Sequence, residues 1–454
     1  VMRLFGSNGV RGVANEEFTP QLAAAVAASA GHLLGREMAL GRDGRTTSPM
    51  FRDVVASALL SVGCNVYDFG EIPTPALQYM VKSKGFDGGI MVTASHNPPE
   101  FNGLKVIYGD GVEVPRFLEE RIEALVSQGG PEPVAWNQVG RVTHLEFLEE
   151  YVEAVVSHVD AEAIRGAGLS VALDLGNGVA SLTAPKVAAR LGCRVYTLNE
   201  DIDGEFPGRG SEPTPENLGG LRALIKATGA SMGVGFDGDG DRSIVMDEKG
   251  EAVWGDRTLS LVAQEYLKEH PGETIVTPVS SSNSLEEVVS RYGGKVYWTR
   301  VGSVVVSRTM VDNGFNLGGE ENGGIMYGPF LPVRDGCMTM ALLLEIMARR
   351  GTSLSRLIAE QPRLYKGKTK TPCPNHLKEK ALERLAQGVK AAQVNTLDGV
   401  KITYEDGSWV LFRPSGTEPI FRVYAEAAQR SRVKELLDQH VALIEKVVSE
   451  LASA

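Results

Sequence analysis

The stretch Gly89-Ile90-Met91-Val92-Thr93-Ala94-Ser95-His96-Asn97-Pro98 is an apolar run that ends abruptly in hydroxyl, imidazole and amide side chains. A short apolar run bounded by turn chemistry predicts a buried strand. Ligands of α/β sheets gather beyond the carboxyl ends of such strands. The segments ahead of it alternate: residues 22–34 read as helix, 38–40 as a short strand, 50–62 as helix, 65–69 as strand and 76–82 as helix. That alternation predicts a layered α/β domain.

The pattern recurs downstream. Residues 128–140 read as a linker, followed by an acidic amphipathic helix near 145–159. A strand at 170–174 runs into a turn at 176–178, then a helix at 182–191 and strands at 194–198 and 232–236. From about Gly255, helices at 258–268, 285–291, 304–313 and 337–349 alternate with strands at 274–277, 295–299 and 316–318. Beyond about Gln361 the texture changes to a helix at 377–392, strands at 401–404, 409–412 and 421–425, and a terminal helix at 432–449. The expected division is 1–150, 151–254 and 255–361 as three α/β blocks, with 362–454 as a smaller α+β unit, small enough to act as a lid. Three α/β blocks in succession also suggest an internal structural repeat.

A chain of 454 residues fits three or four domains, and 43% apolar with 23% charged residues is ordinary for a globular protein. The 52 glycines predict many tight turns and close backbone approach to ligands. The net charge of −11 has the wrong sign for a nucleic-acid footprint, so an anionic substrate would need basic residues set locally in loops. The four cysteines, Cys64, Cys193, Cys337 and Cys373, lie far apart and frame neither a zinc site nor a disulfide scaffold. Residues 22–34 are too short to span a bilayer and lack the basic start of a signal peptide. The expectation is a soluble cytoplasmic protein with no membrane or nucleic-acid partner.

Four polar loops carry the chemistry. In the first, Ser95 can act as nucleophile or phosphate carrier and His96 can move its proton; the bland alternative is a hydrogen-bonded turn before proline. Lys105, in Asn102-Gly103-Leu104-Lys105, adds a proton-transfer candidate, although a lone lysine is usually a surface residue. The second loop is Phe236-Asp237-Gly238-Asp239-Gly240-Asp241-Arg242. Carboxylates at alternate positions repel unless a hard cation such as Mg²⁺ or Ca²⁺ sits among them. A solvated acidic turn is the alternative. Gly233, Gly235 and Gly238 fit a dinucleotide fingerprint, but a strand follows where a phosphate-cradling helix would be needed. The spacing of Asp237, Asp239, Asp241 and Glu248 fits an EF-hand loop, but Arg242 stands where glycine is required. Strand-Asp-x-Asp also opens the aspartyl-phosphate phosphatases, and locally that reading stands beside the metal-site reading.

The third loop, Gly318-Gly319-Glu320-Glu321-Asn322-Gly323-Gly324, suits paired sugar hydroxyls by bidentate hydrogen bonds, or is a plain polar turn. The fourth, Arg413-Pro414-Ser415-Gly416-Thr417-Glu418-Pro419 with Arg422 beyond, has the makings of a phosphate nest. It lacks the lysine and helix of a Walker loop; an ordinary turn with surface arginines is its alternative.

In this order the four loops resemble the α-D-phosphohexomutase superfamily over nearly the whole chain. Ser7-Asn8-Gly9-Val10-Arg11-Gly12, Gly41-Arg42-Asp43-Gly44-Arg45, Phe206-Pro207-Gly208, Pro215-Glu216-Asn217 and Thr299-Arg300-Val301-Gly302 support it. Residues 4–12 and the Glu320–Gly324 loop are most similar to archaeal-type phosphoglucosamine mutases. The resemblance implies four domains around a central cleft, three of them related α/β/α layers with mixed sheets, and a mobile smaller α+β fourth. It implies Ser95 as a phosphorylated carrier, with Mg²⁺ held by Asp237, Asp239, Asp241 and an oxygen of the modified Ser95. His96, Lys105 and Arg11 would serve proton transfer and charge, Arg242 and Arg300 would face the substrate, and Glu320 and Asn322 would read sugar hydroxyls. Arg413, Ser415, Gly416, Thr417 and Arg422 would hold the phosphate that does not react. The chain departs from the bacterial pattern at Asn322 and Gly324, where serine and histidine are common.

The implied activity interconverts hexose 6-phosphate and hexose 1-phosphate through a phosphoserine enzyme, with hexose 1,6-bisphosphate as intermediate and activator. Glucosamine phosphate is the first expectation, and mannose or glucose phosphate the alternatives. A metal-dependent sugar phosphatase with Asp237 as nucleophile would leave the Ser95 and Arg413 loops without a role, and the presence of every expected catalytic residue speaks against a non-catalytic sugar-phosphate binder. The expected assembly is a monomer or homodimer.

Overall fold

The structure is a computed structural model that describes residues 3–387, 393–415 and 419–453. Among the described residues four sheets form, and the first three share one strand plan. In each, the innermost strand (Glu37–Arg42, Ser170–Asp174, Thr274–Pro278) lies parallel to a following strand on one side (Asn65–Glu71, Arg194–Leu198, Lys295–Thr299). On its other side lies a third parallel strand (Gly88–Val92, Met232–Phe236, Leu317–Gly319). A hairpin then adds an antiparallel fourth (Phe101–Tyr108, Ser243–Asp247, Ile325–Tyr327). The next position is filled by Ala252–Val253 and Leu331–Asp335 in the second and third sheets, and by the N-terminal Val10–Val13 in the first. The repeat suggested by the alternation is therefore a repeat of topology, closed differently only in its first copy.

Helices cover these sheets because their apolar stripes need a partner. Helix Gly336–Arg350 is the best buried: Asp335 caps its start, accepting from Met338 N at 2.9 Å, and Gly351 ends it in the left-handed region. Its Leu343, Leu344 and Met347 join one apolar cluster with Met80 and Ile107 of the first layer, Tyr151 and Val187 of the second and Leu259 of the third. Tyr151 Oη donates to Asp335 Oδ2 at 2.7 Å, tying this helix to the second layer at its cap.

The sequence reading leaves the strand Phe101–Tyr108 unassigned. Its Asn102, Gly103 and Lys105 look like loop and surface residues, yet all three are buried against neighbouring strands and the acidic loop. The edge strands Val10–Val13, Val142–His144 and Ala252–Val253 are too short to show a period. All four cysteines are buried free thiols. Among the described residues no helix is long and apolar enough to cross a membrane.

The fourth sheet is wholly antiparallel, ordered Tyr365–Pro372, Ile420–Ala427, Trp409–Pro414, Val400–Thr403 and Gln393–Asn395, with helices Lys378–Gln387 and Arg430–Ala452 packed on it. The end of the helix expected at 377–392 lies outside the described residues. Lys401 pins this sheet to the third layer. Its Nζ sits 4.1 Å from the Trp409 ring centroid and 4.8 Å from that of Trp298, and donates to Val279 O at 3.1 Å and Asn283 Oδ1 at 2.8 Å.

Burial pulls the Lys401 amine down from 10.5 to about 7, against the opposing charge of Glu426. Between those pH values the unfolded state binds the extra proton, so stability rises with pH. Lys401→Met removes that dependence. The stability of the wild type relative to the variant should climb between pH 7 and 9.5 in chemical denaturation, by at most ~1.4 kcal/mol per pH unit. A flat difference across that range contradicts the buried, perturbed amine.

Candidate active site

The turn between the third and fourth strands occupies the same place in all three repeats. In the first it carries Ser95, in the second Asp237, Asp239 and Asp241, and in the third Glu320 and Asn322. Three copies of one topology, packed together, thus aim three different chemistries at one region.

Ser95 is fully buried and its backbone is left-handed, with φ 54°. A non-glycine residue held there costs roughly 1–3 kcal/mol and persists only where its surroundings enforce it. Ser95 N donates to Thr93 Oγ1 at 2.9 Å, and Ser95 Oγ donates to Asp237 Oδ2 at 2.8 Å across the boundary between the first two layers. Arg11 reaches the same loop, donating from Nη1 to Ala94 O at 3.2 Å and Asn97 Oδ1 at 3.0 Å. Its strand neighbour Gly103 makes this possible, since a Cβ there would fall 2.9 Å from Arg11 Cγ and 2.3 Å from Val10 O. His96 is half-buried with its Nδ1 unpartnered; burial, then the Arg242 and Arg11 charges, hold the imidazole well below its ordinary 6.5.

The three aspartates each offer an oxygen within 4.8 Å of the others. Burial and the two neighbouring carboxylates push Asp237 far up. Burial pushes on Asp241 as well, but the Arg334, Lys105 and Arg242 charges outweigh it and hold that carboxyl below the usual range. For Asp239, burial and Asp241 are outweighed by Lys105 and by the Thr74 hydroxyl, which donates at 2.5 Å. Lys105 Nζ bridges Asp239 Oδ2 at 2.6 Å and Asp241 Oδ2 at 2.8 Å; those two charges overcome its burial and raise its pKa. Asp239 Oδ1 and Asp241 Oδ1 are buried with no hydrogen-bond partner. Orphaned oxygens in an all-carboxylate set fit a hard divalent cation, which takes oxygen ligands.

The sugar-loop candidates are joined to this cluster by Arg334, which the sequence reading does not single out. Arg334 Nη2 donates to Asp241 Oδ2 at 2.8 Å and Nη1 to Glu320 Oε2 at 3.2 Å. Gly324, at φ 86°, packs directly on its stem: a Cβ would meet Asp241 O at 2.6 Å and Arg334 Cβ at 2.9 Å. Glu320 is buried and its carboxyl raised, chiefly by desolvation, with Arg334 and Arg242 opposing. Asn322 Oδ1 is buried without a partner. Arg242 holds a looser ion pair with Glu212 at 3.7 Å, and its backbone N–H donates to Asp237 Oδ1 at 3.1 Å.

The remaining candidates gather at the fourth sheet. Arg413 pairs with Asp398 at 2.7 Å, Arg422 stands directly across the strand pair from Arg413, and Arg300 Nε donates to Leu397 O at 3.2 Å. Ser415 O accepts from Lys378 Nζ at 2.5 Å. Gly416 and Thr417 lie outside the described residues. Arg300 and Arg413 thus meet at the 397–398 turn with Arg422 across the strand pair from Arg413, whereas Arg11, Ser95, Lys105, Asp237, Asp239, Asp241 and Glu320 are linked by direct contacts and shared partners. Thr74, whose hydroxyl holds Asp239, is not singled out by the sequence either, because a threonine at a helix start carries no signal of its own.

Models of the phosphoglucomutase/phosphomannomutase family match the chain in four consecutive pieces. They are α/β/α domain I over residues 2–132, domain II over 149–250, domain III over 254–365 and the C-terminal domain over 370–443. A phosphoglucomutase/phosphomannomutase of Thermococcus kodakarensis is 41% identical, covering 98% of this chain and 99% of the relative. A phosphoglucosamine/phosphogalactosamine mutase of Sulfurisphaera tokodaii is 39% identical, covering 98% and 99%. The crystal structure of a phosphoglucomutase/phosphomannomutase family protein from Burkholderia thailandensis superposes with a TM-score of 0.87 at 29% identity, covering 97% of each chain.

The acidic site can be tested without turnover. Binding of Mn²⁺, followed by its electron paramagnetic resonance signal, should weaken at least ~10-fold in Asp239→Asn and Asp241→Asn. Unchanged Mn²⁺ affinity in both would remove the cluster as a metal site.

Proposed function

The chain belongs to the phosphoglucomutase/phosphomannomutase family and is a phosphohexomutase, and on that premise we propose that Ser95 carries the phosphate it transfers. The observation that carries this reading is the Ser95 Oγ contact with Asp237, at the edge of a carboxylate cluster with orphaned oxygens. Asp237, Asp239 and Asp241 would hold Mg²⁺, completed by an oxygen of phosphorylated Ser95. That ion would supply charge stabilisation to the phosphoryl group as it moves.

The carrier would pass its phosphoryl group to one hydroxyl of a hexose phosphate. The Ser95 Oγ–P bond breaks, a P–O bond to the sugar forms, and the proton of the sugar hydroxyl is taken up by the protein as Ser95 regains its own. The resulting bisphosphate turns end for end and returns its other phosphate to Ser95. His96, held neutral by burial, offers a proton acceptor, while Lys105, held charged by Asp239 and Asp241, offers a donor. Two groups pushed to opposite protonation states suit acid and base roles. Arg11 and Arg242 place positive charge around the moving group. Arg413 and Arg422, with Ser415, Gly416 and Thr417, would grip the phosphate that stays behind, and Arg300 would face the substrate beside them. Closure of the fourth domain would exclude water, the competing acceptor.

Glucosamine 6-phosphate and 1-phosphate are the proposed pair. Glu320 and the unpartnered Asn322 Oδ1 form an acceptor-rich wall, and the ammonium of glucosamine brings donors and positive charge to it. The relatives' names include glucosamine, galactosamine, glucose and mannose.

Phosphorus NMR with Mg²⁺, a trace of hexose 1,6-bisphosphate and, in turn, glucosamine, mannose and glucose 1-phosphates should show 6-phosphate appearing fastest for glucosamine. Free inorganic phosphate as the main product would instead make Asp237 the nucleophile of a phosphatase. Ser95→Ala should lower turnover at least ~10³-fold, and near-normal turnover contradicts the carrier. Arg413→Ala should raise KM while leaving Mn²⁺ affinity unchanged; an unchanged KM contradicts the distal phosphate grip.

A further inference from the structure

The Ser95 loop is held in an unusual way: side chains from elsewhere in the fold take the carbonyl oxygens of five residues in a row. Ala94 O accepts from Arg11, as above. Arg45 Nη2 donates to Ser95 O at 2.9 Å and Asn97 O at 2.6 Å, and its Nη1 donates to Pro98 O at 2.6 Å and Phe101 O at 3.0 Å. Ser211 Oγ lies 2.7 Å from both His96 O and Asn97 O. Arg45 is fully buried, and its Nε donates to Asp43 Oδ2 at 3.1 Å. Asp43 in turn accepts from Ser48 Oγ at 2.5 Å and from Thr93 Oγ1 at 2.6 Å, the same hydroxyl that receives Ser95 N. The second layer closes the arrangement, with the Phe206 ring 5.0 Å from the Arg45 guanidinium and Phe206 itself at φ 51°.

We infer that Arg45 is a positioning residue for phosphoryl transfer, and that with Ser211 it forms a two-sided clamp that sets Ser95 in its left-handed conformation. A buried guanidinium needs its donors satisfied, and here three of its contacts are carbonyls of the loop that bears the nucleophile and a fourth is that of Phe101, the first residue of the strand that follows. The carbonyls held by Arg45 and Ser211 flank Ser95 in the chain, so the backbone on which its hydroxyl is carried is fixed from both sides. Ser211 comes from the second layer, which also carries Asp237, so the clamp fixes the first-layer hydroxyl relative to the second-layer carboxylate. This inference rests on Ser95 as the carrier. It adds that the rate of transfer, and not the affinity for substrate, depends on a residue that touches neither sugar nor metal.

The test uses the full-length enzyme and Arg45→Lys, which keeps the charge but loses the planar fork. The expected result is kcat down by about 100-fold, the scale of a small misplacement at the reacting atom, with KM within about threefold. Hexose 1,6-bisphosphate escaping per turnover should rise, because the second transfer slows relative to release. Ser211→Ala, which removes one hydroxyl on the opposite side, should lower kcat by roughly 3–10-fold with the same signature; it decides the matter if Arg45→Lys does not fold. A folded Arg45→Lys or Ser211→Ala enzyme with wild-type kcat and wild-type bisphosphate escape would overturn the clamp, as would a rise in KM at unchanged kcat. A wild-type control incubated with glucose 1,6-bisphosphate and read by peptide mass spectrometry separates the two claims: phosphate on Ser95 upholds the carrier whatever the variants do, and its absence removes carrier and clamp together.

Discussion

Three carboxylates buried within 4.8 Å of one another cannot all be ionised without positive charge beside them, and the centre of this molecule is arranged around that constraint. Lys105 arrives from the first layer, Arg334 from the third and Arg242 from the acidic loop itself. Each layer thereby contributes a cation or a carboxylate to one cluster. Loss of Lys105 or Arg334 would leave carboxylate charge unpaired in the interior, so the packing of the three repeats and the integrity of the site are linked energetically. Phosphate on Ser95 would add about −1.5 to −2 to this balance. The orphaned oxygens of Asp239 and Asp241 mark where a divalent cation would restore it.

The repeated topology explains how so concentrated a site arises. A turn after the third strand lies at the carboxyl end of a parallel pair, where backbone direction leaves side chains facing outward from the sheet. Three such turns brought together supply a hydroxyl, a carboxylate cluster and a polar acceptor wall from one architectural position. The fourth sheet follows a different, antiparallel plan and presents arginines. Its attachment through Lys401 and the pair Trp298 and Trp409 sets the basic group of Arg300, Arg413 and Arg422 beside the third layer.

Much of this was legible in the chain because loop chemistry at strand ends is written in contiguous residues. The Ser95, Asp237–Asp241, Glu320 and Arg413 stretches each stand out as polar punctuation after apolar runs, and their order suffices for the family. The strand Phe101–Tyr108 was not legible, since a lysine and a glycine at its centre mimic a loop until their cross-strand partners are known. Arg334 and Arg45 were hidden for a related reason. An arginine shows its role only through what it touches, and their hydrogen-bond partners lie up to 93 residues away for Arg334 and 56 for Arg45. The sugar preference stays outside what residue identity conveys, because Asn322 and Gly324 depart from the bacterial pattern at the positions that would announce it.

The central proposed step is the direct passage of phosphate between Ser95 and the sugar. Its most direct test is a single turnover: enzyme phosphorylated beforehand on Ser95, mixed with excess of the hexose 1-phosphate it converts fastest, quenched over milliseconds and analysed by mass. Hexose 1,6-bisphosphate appearing first, in step with loss of phosphate from Ser95, is the predicted result. Inorganic phosphate released in its place, or label found on Asp237, would contradict it.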